Sequence, residues 1–423
     1  MNATVKTKHL WQKSSFFKFF LTFQLLLWQI FIPLHSIRPI TISFFSFPPM
    51  AGIYVHIPFC KSRCIYCGFY STTLFDRQEE YVKSLIKEMD DRKDYLGSEP
   101  VKTIYIGGGT PSLLKPSSLE RLCTALQDRR HLIYNIEEFT MECNPDDITD
   151  EYACLIASLG INRVSMGAQT FSDERLAFLH RRHRAGDVGK AVETLRRNGI
   201  ENISIDLMFG FPDESLSDWQ SDIDEASSLG VQHISAYSLM YEEGTPLFRL
   251  LNDGKIREIN EETSLRMYET LIESLANHGF EHYEISNFAL PGYRSKHNSS
   301  YWKQIPYLGI GASAHSYNIV SRQWNAADVK DYIRLINASS HEYIEETEHL
   351  TDTERYNDLI TTALRTCDGI DTGSLPRRHR DFILKASQKH IALGNLSLRN
   401  GIIRLTRQGL FISDSIMVDL IEE

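Results

Sequence analysis

Cys60, Cys64 and Cys67 stand in the run Tyr54-Val55-His56-Ile57-Pro58-Phe59-Cys60-Lys61-Ser62-Arg63-Cys64-Ile65-Tyr66-Cys67, a C-x3-C-x2-C spacing. Three thiolates on so short a loop can cap three irons of a [4Fe–4S] cube and leave the fourth iron without a protein ligand. An open iron can take a small molecule that offers an amine and a carboxylate. Soft thiolates also suit zinc, but zinc sites favour paired C-x2-C halves and a fourth protein ligand. No second pair occurs, since Cys123, Cys143, Cys154 and Cys367 stand singly.

Gly107-Gly108-Gly109-Thr110-Pro111-Ser112 follows an apolar run. Glycines let the backbone come close to a ligand and expose its N–H and C=O groups. A phosphate loop would continue with Gly-Lys-Ser/Thr, which this chain does not do. In order along the chain come Glu142-Cys143-Asn144-Pro145, Ser165-Met166-Gly167-Ala168-Gln169-Thr170-Phe171, Asp206-Leu207-Met208-Phe209-Gly210-Phe211-Pro212 and Tyr283-Glu284-Ile285-Ser286-Asn287-Phe288-Ala289. From Gly52 onward this ordered set resembles the radical S-adenosylmethionine (SAM) enzymes. Within them it is most similar to the oxygen-independent coproporphyrinogen III oxidase family, and there to the HemW branch, the heme chaperones.

The resemblance implies a cluster on Cys60, Cys64 and Cys67 and SAM on the open iron. It puts Tyr66 beside the adenine and Tyr54 against SAM. Gly108, Gly109 and Thr110 would hold the methionine amino group, and Glu142 would accept a hydrogen bond from SAM. Gln169, Arg181 and Asp206 match positions around a second SAM, where Arg can clamp a carboxylate bidentately. An electron from the reduced cluster would release a 5′-deoxyadenosyl radical, chemistry that belongs to the cofactor. Plainer readings stand beside these. Tyr66 could shield the cluster from water, Tyr54 could be a core tyrosine, and Arg181 shares its stretch with Arg182 and Arg184.

In one place the chain departs from the oxidases, which carry a further cysteine two places after the third cluster cysteine. Here Cys67-Gly68-Phe69 puts Phe69 in that place. Conversely, His297-Asn298-Ser299-Ser300-Tyr301-Trp302 matches the HNxxYW motif of the HemW branch. An imidazole flanked by aromatics is reasonable heme chemistry; a satisfied polar loop packed under Trp302 is the other reading of His297. The expected function is thus a heme chaperone that passes heme to acceptor proteins such as membrane-bound respiratory enzymes. The alternative is a working coproporphyrinogen III oxidase of porphyrin biosynthesis.

These residues need a scaffold. Short β-rich runs at Ile53–His56, Thr103–Ile106, Glu138–Met141, Arg163–Gly167, Ile203–Leu207 and His233–Ser238 alternate with helical patterns, as in Gln78–Lys93 and Ser217–Ser228. Such alternation implies right-handed βαβ crossovers and a parallel sheet. Six units fit a partial (β/α)6 barrel, the fold the resemblance also implies, and every motif falls at the C-terminal end of a strand, where barrel sites form. Beyond about residue 340, helices at Thr353–Thr366, Thr372–Arg377 and Arg380–Leu393 precede a hairpin turning at Asn400-Gly401. This reads as a small winged-helix-like α+β domain, since Asn-Gly favours a type I′ turn. The chain divides into an extension (1–49), a core barrel (50–290), a connecting segment with the His297–Trp302 loop (291–340) and a C-terminal domain (341–423).

The 423 residues carry a net charge of −10, and the first fifty hold five Lys or Arg and no acid, leaving −15 on the rest. An acidic body argues against nucleic-acid partners, which require clustered Lys and Arg, and so against a winged-helix regulator. The Phe-rich stretch from Phe16 to Pro33 is interrupted by Lys18, Gln24 and Gln29, which weakens a membrane span or signal segment. Residues 1–49 therefore read as translation from an upstream start, with Met50 opening onto the first strand. An oxygen-sensitive cluster and reduced thiols place the chain in the cytoplasm. A homodimer is one assembly open to it.

Overall fold

The computed structural model describes residues 50–129, 133–339 and 341–422. The reading of residues 1–49 lies outside the described residues. Six strands, β1 (Ala51–Ile57), β2 (Val101–Gly108), β3 (Ile133–Cys143), β4 (Arg163–Gln169), β5 (Asn202–Phe209) and β6 (His233–Ser238), lie side by side in chain order. Each runs parallel to the next. The crossovers carry α1 (Gln78–Asp91), α2 (Pro116–Gln127), α3 (Asp150–Ser158), α4 (Asp173–Phe178), α5 (Ala185–Arg197) and α6 (Leu216–Ser228). These helices form because their apolar residues recur at helical spacing. In α1, for example, Tyr81, Val82, Leu85 and Met89 are buried on one stripe against the sheet.

The barrel is open, because β1 and β6 do not pair. After α7 (Pro246–Asn252) and α8 (Glu261–Asn277), a hairpin of β7 (Glu281–Glu284) and β8 (Asn287–Ala289) joins antiparallel to β6. Helix α9 (Lys296–Trp302) then crosses back, and β9 (Tyr307–Ile310) pairs parallel to β1 at the opposite edge. Strands β10 (His315–Tyr317), β11 (Ser321–Asn325) and β12 (Ile344–His349) continue that edge antiparallel, with α10 (Val329–Asn337) packed nearby. A buried ionic network fastens this extension to α1. Glu88 pairs with Arg92 at 3.1 Å and accepts from Tyr332 Oη, Gly311 N and Asn325 Nδ2. Arg92 in turn donates to Gly309 O, Ser316 Oγ and Gln323 Oε1.

Residues after β12 build a second, smaller core around Tyr356, Ile360, Ile383, Ile403 and Ile416. It holds α11 (Asp352–Ala363), α12 (Arg377–Ala386) and a three-stranded sheet of β13 (Ile370–Asp371), β14 (Leu396–Arg399) and β15 (Ile402–Leu405). Asn400 and Gly401 both have positive φ, 50° and 78°, the conformation a type I′ turn demands. Two details differ from the sequence reading. Thr372–Arg377 is not a helix but a single 3-10 turn, Thr372–Ser374, ended by Pro376, whose ring starts the next helix instead. Lys296–Trp302, expected as a loop, is a helix because Ser295 Oγ accepts from Asn298 N and caps its first turn.

Candidate functional site

Alternation along the six parallel strands separates two chemistries. Ile53, Val55, Ile104, Ile106, Phe139, Met141, Val164, Met166, Ile203, Ile205, Ile234 and Ala236 belong to the apolar core beneath the helices. Successive side chains point to opposite faces, so the other set lines the barrel interior. That set is polar: Tyr54, His56, Thr103, Tyr105, Glu138, Thr140, Glu142, Arg163, Ser165, Ser204, Asp206, His233 and Ser235. Sequence reasoning recovered Tyr54, Glu142 and Asp206 of this set, of which Tyr54 and Asp206 lie in mid-strand. The period-two pattern would have pointed to the others.

At the C-terminal rim, the glycine run is held against the cysteine loop. Gly109 N donates to Ile57 O and Thr110 N to Phe59 O. A Cβ on Gly109 would lie 3.0 Å from Cys60 Sγ, one on Gly107 would lie 2.9 Å from Glu142 Oε1, and one on Gly108, at φ +115°, would lie 2.6 Å from the His56 ring. Only glycine fits such a cradle. Thr110 Oγ1 sits 3.5 Å from Cys60 Sγ. The three cysteines are free thiols, neither fully buried nor exposed. Burial pushes Cys67 up to about 11 and raises Cys60 as well, with Cys64 acting on both as a neighbouring charge. Among the described residues, no three His, Cys, Asp or Glu side chains converge on a point for one metal ion. A cube needs something different, because each thiolate binds its own iron at a separate corner. Three soft sulfurs free of disulfides on one short loop, with the Gly109 backbone beside Cys60, fit that requirement.

Glu142 is fixed by Tyr105 Oη, 2.7 Å from Oε1, and by Gly108 N, 3.0 Å from Oε2. A carboxylate offers about four acceptor positions, so it retains capacity for a ligand. Burial raises it to about 7, and Asp206, which accepts from Ser165 Oγ at 3.3 Å, to about 6. Tyr54 Oη bonds His56 Nδ1 at 2.9 Å, and the buried His56 ring lies against Gly108 and the Tyr70 backbone. Gln169 takes φ +68° at the end of β4 with its side chain turned toward Gly167.

Other residues named by the resemblance have protein partners of their own. Arg181 donates to Asn144 Oδ1 (2.9 Å), Gly167 O (2.7 Å) and Cys64 Sγ (3.7 Å). It thereby ties the cysteine loop to the ends of β3 and β4. Tyr66 is half-buried over that same loop, its hydroxyl pushed up by burial. Phe69 is 47% exposed. His297 lies at the opposite end of the barrel. Its Nδ1 bonds Thr103 Oγ1 and its Nε2 bonds Tyr301 Oη, both at 2.9 Å, and its ring stacks on Tyr105 at 5.3 Å. Gly52 leaves the room that ring occupies. Of the two readings of His297, iron ligand and buried polar support, the geometry favours the second. The motif's other end reaches the smaller core. Trp302 is covered by Arg365 at 4.9 Å, and Arg365 pairs with buried Glu284 at 2.6 Å.

Residues 54–226 match the radical SAM superfamily. The heme chaperone HemW of Bacillus subtilis is 34% identical over 372 residues, covering 87% of this chain and 98% of that protein. The chain belongs to the HemW family. HemW of Mycobacterium tuberculosis is 30% identical over 88% of this chain and 94% of its own, and HemW of Escherichia coli is 35% identical over 63% and 70%. Coproporphyrinogen III oxidase (HemN) of Escherichia coli, a radical SAM enzyme, superposes with a TM-score of 0.76 at 19% identity over 90% of this chain and 91% of its own. That likeness establishes the fold, a partial radical SAM barrel with its added strands. The HemW family and the oxidase thus share this scaffold.

Proposed function

We propose that this protein binds heme and delivers it to acceptor proteins, holds a [4Fe–4S] cluster on Cys60, Cys64 and Cys67, and binds SAM at the C-terminal rim of the barrel. The near full-length similarity to curated heme chaperones carries this reading. The site supports it. When bound, cluster and SAM would supply one-electron chemistry. The chain's own residues orient and enclose. Gly107–Gly109 let the backbone pass close beside the cysteine loop, Glu142 presents an acceptor fixed by Tyr105 and Gly108, and Arg181 holds the cysteine loop in place. The absence of a thiol at Phe69, with its ring turned outward, argues against coproporphyrinogen oxidation. The acceptors in this reading are membrane-bound respiratory enzymes reached from the cytoplasm. Among the described residues no helix is long and apolar enough to cross a membrane.

Anaerobic reconstitution followed by two assays tests the proposal. Heme titration followed by absorbance should saturate at a defined stoichiometry, and reduced, SAM-loaded protein should yield no protoporphyrinogen from coproporphyrinogen III. Turnover without saturable heme binding would reverse the conclusion in favour of the oxidase.

A further inference from the structure

Arg163 opens β4 and is only 1% exposed, among the largest fully buried side chains of the molecule. Its neighbours Val164 and Met166 join the apolar core, so Arg163, Ser165 and Gly167 share the interior face. Arg163 is in register with Thr140 on β3 and Asn202 on β5, one same-face step below the Glu142–Ser165–Ser204 row. Its Nε and Nη1 find no protein partner, and neither does the Thr140 hydroxyl beside it. A guanidinium is an expensive group to bury, and the usual justification, a short ion pair, is not what these nitrogens make.

The charges around it give it a different role. Glu142 and Asp206 are the acids that face the ligand rim. Glu138 already accepts from Lys296 N and His297 N at the start of α9, and buried Glu284, which acts on Tyr237 and Tyr283, pairs with Arg365. His56, His233 and His297 are held neutral by burial, and the hydroxyls of Tyr54, Tyr105, Tyr237, Tyr283, Tyr301 and Tyr307 are all pushed upward. Arg322 acts on Tyr307 and Arg365 pairs with Glu284; the cations acting on Glu142 and Asp206 are Arg181 at the rim and Arg163 at the floor. Arg163 opposes the burial of both acids, whereas Arg181 acts on Asp206.

We propose that Arg163 is a positioning residue, the counter-charge beneath the barrel rim that makes Glu142 and Asp206 anionic acceptors for the bound ligand while touching no ligand itself. The ligand part rests on the SAM reading above. Burial pushes Glu142 up to about 7, so losing the counter-charge one same-face step below it matters there. Moving its midpoint up by about one unit would cut the ionised fraction at pH 7 about fivefold.

The test uses the full chain with reconstituted cluster. Infrared titration follows the protonated-carboxyl band between pH 5.5 and 9, with Glu142→Gln identifying the Glu142 component. Arg163→Met should move that component to higher pH, and Arg163→Lys should return it. Arg163→Gln, which keeps a polar side chain in place, serves where the methionine variant does not fold. SAM binding by equilibrium dialysis should weaken about fivefold at pH 7 in the neutral variants and recover toward the parent value by pH 9. A purely structural role would weaken binding equally at all pH values. An unmoved carboxyl band, or a loss of affinity that pH does not restore, overturns the proposal. A shifted band in a chain whose parent form never binds SAM overturns the SAM reading and leaves the counter-charge standing.

Discussion

Replacing His297 separates the two roles open to it. His297→Ala removes hydrogen bonds to Thr103 Oγ1 and Tyr301 Oη, about 1 kcal/mol each. It also leaves a hole beside Tyr105, worth about another 1–2 kcal/mol for a ring of this size. The folded state should lose about 3–4 kcal/mol. His297→Gln, which can reach one of the two hydroxyls, should lose about half of that. A pH signature accompanies the loss. Burial, reinforced by Arg163, lowers His297 from 6.5 to about 3. The unfolded chain takes up a proton below about pH 6.5 that the folded ring refuses. Stability from the neutral imidazole is therefore complete above that pH and fades as pH falls, by about 1.4 kcal/mol per unit. At pH 5 the fade amounts to about 2 kcal/mol. Urea unfolding at pH 7.5 and pH 5 should show the advantage of the parent over His297→Gln shrinking by that amount, while other titrating groups cancel in the difference. Heme titration of the folded glutamine variant should keep its stoichiometry. Heme binding abolished with stability unchanged at both pH values would refute the argument and make His297 the iron ligand.

Cys64→Ser should lose the cube, read as iron content and Mössbauer spectrum; an undiminished cluster would contradict the thiolate assignment. Gly108→Ala places a methyl 2.6 Å from the His56 ring at φ +115°, so it should cost about 1–3 kcal/mol in backbone strain and weaken SAM binding measured by dialysis. Arg365→Ala strands Glu284, whose side chain is fully buried. The expected destabilisation in urea is about 3–5 kcal/mol, and a loss below 1 kcal/mol would show the pair to be dispensable.

Much of the fold was legible in the chain. The six parallel strands follow from β-rich runs separated by amphipathic helices, and the rim residues from motifs placed where strands end. The hairpin at Asn400-Gly401 was readable because few dipeptides accept two successive positive φ values. The helix expected over Thr372–Arg377 was misread because Gly373 and Pro376 punctuate it more strongly than its pattern suggests. Nothing beside Glu88 in the sequence marks it as buried; only the return of β9–β11 and α10 surrounds it with donors.

The sequence by itself determined which residues could bind metal and ligand: thiolate spacing, glycine and strand-end placement are local properties, carried by neighbours a few positions apart. Tertiary structure alone decided what Arg163, Arg181 and His297 do. Each lies among groups of neighbouring strands and loops, and a buried cation or imidazole takes its role from the charges and hydroxyls that folding brings around it, not from the residues beside it in sequence.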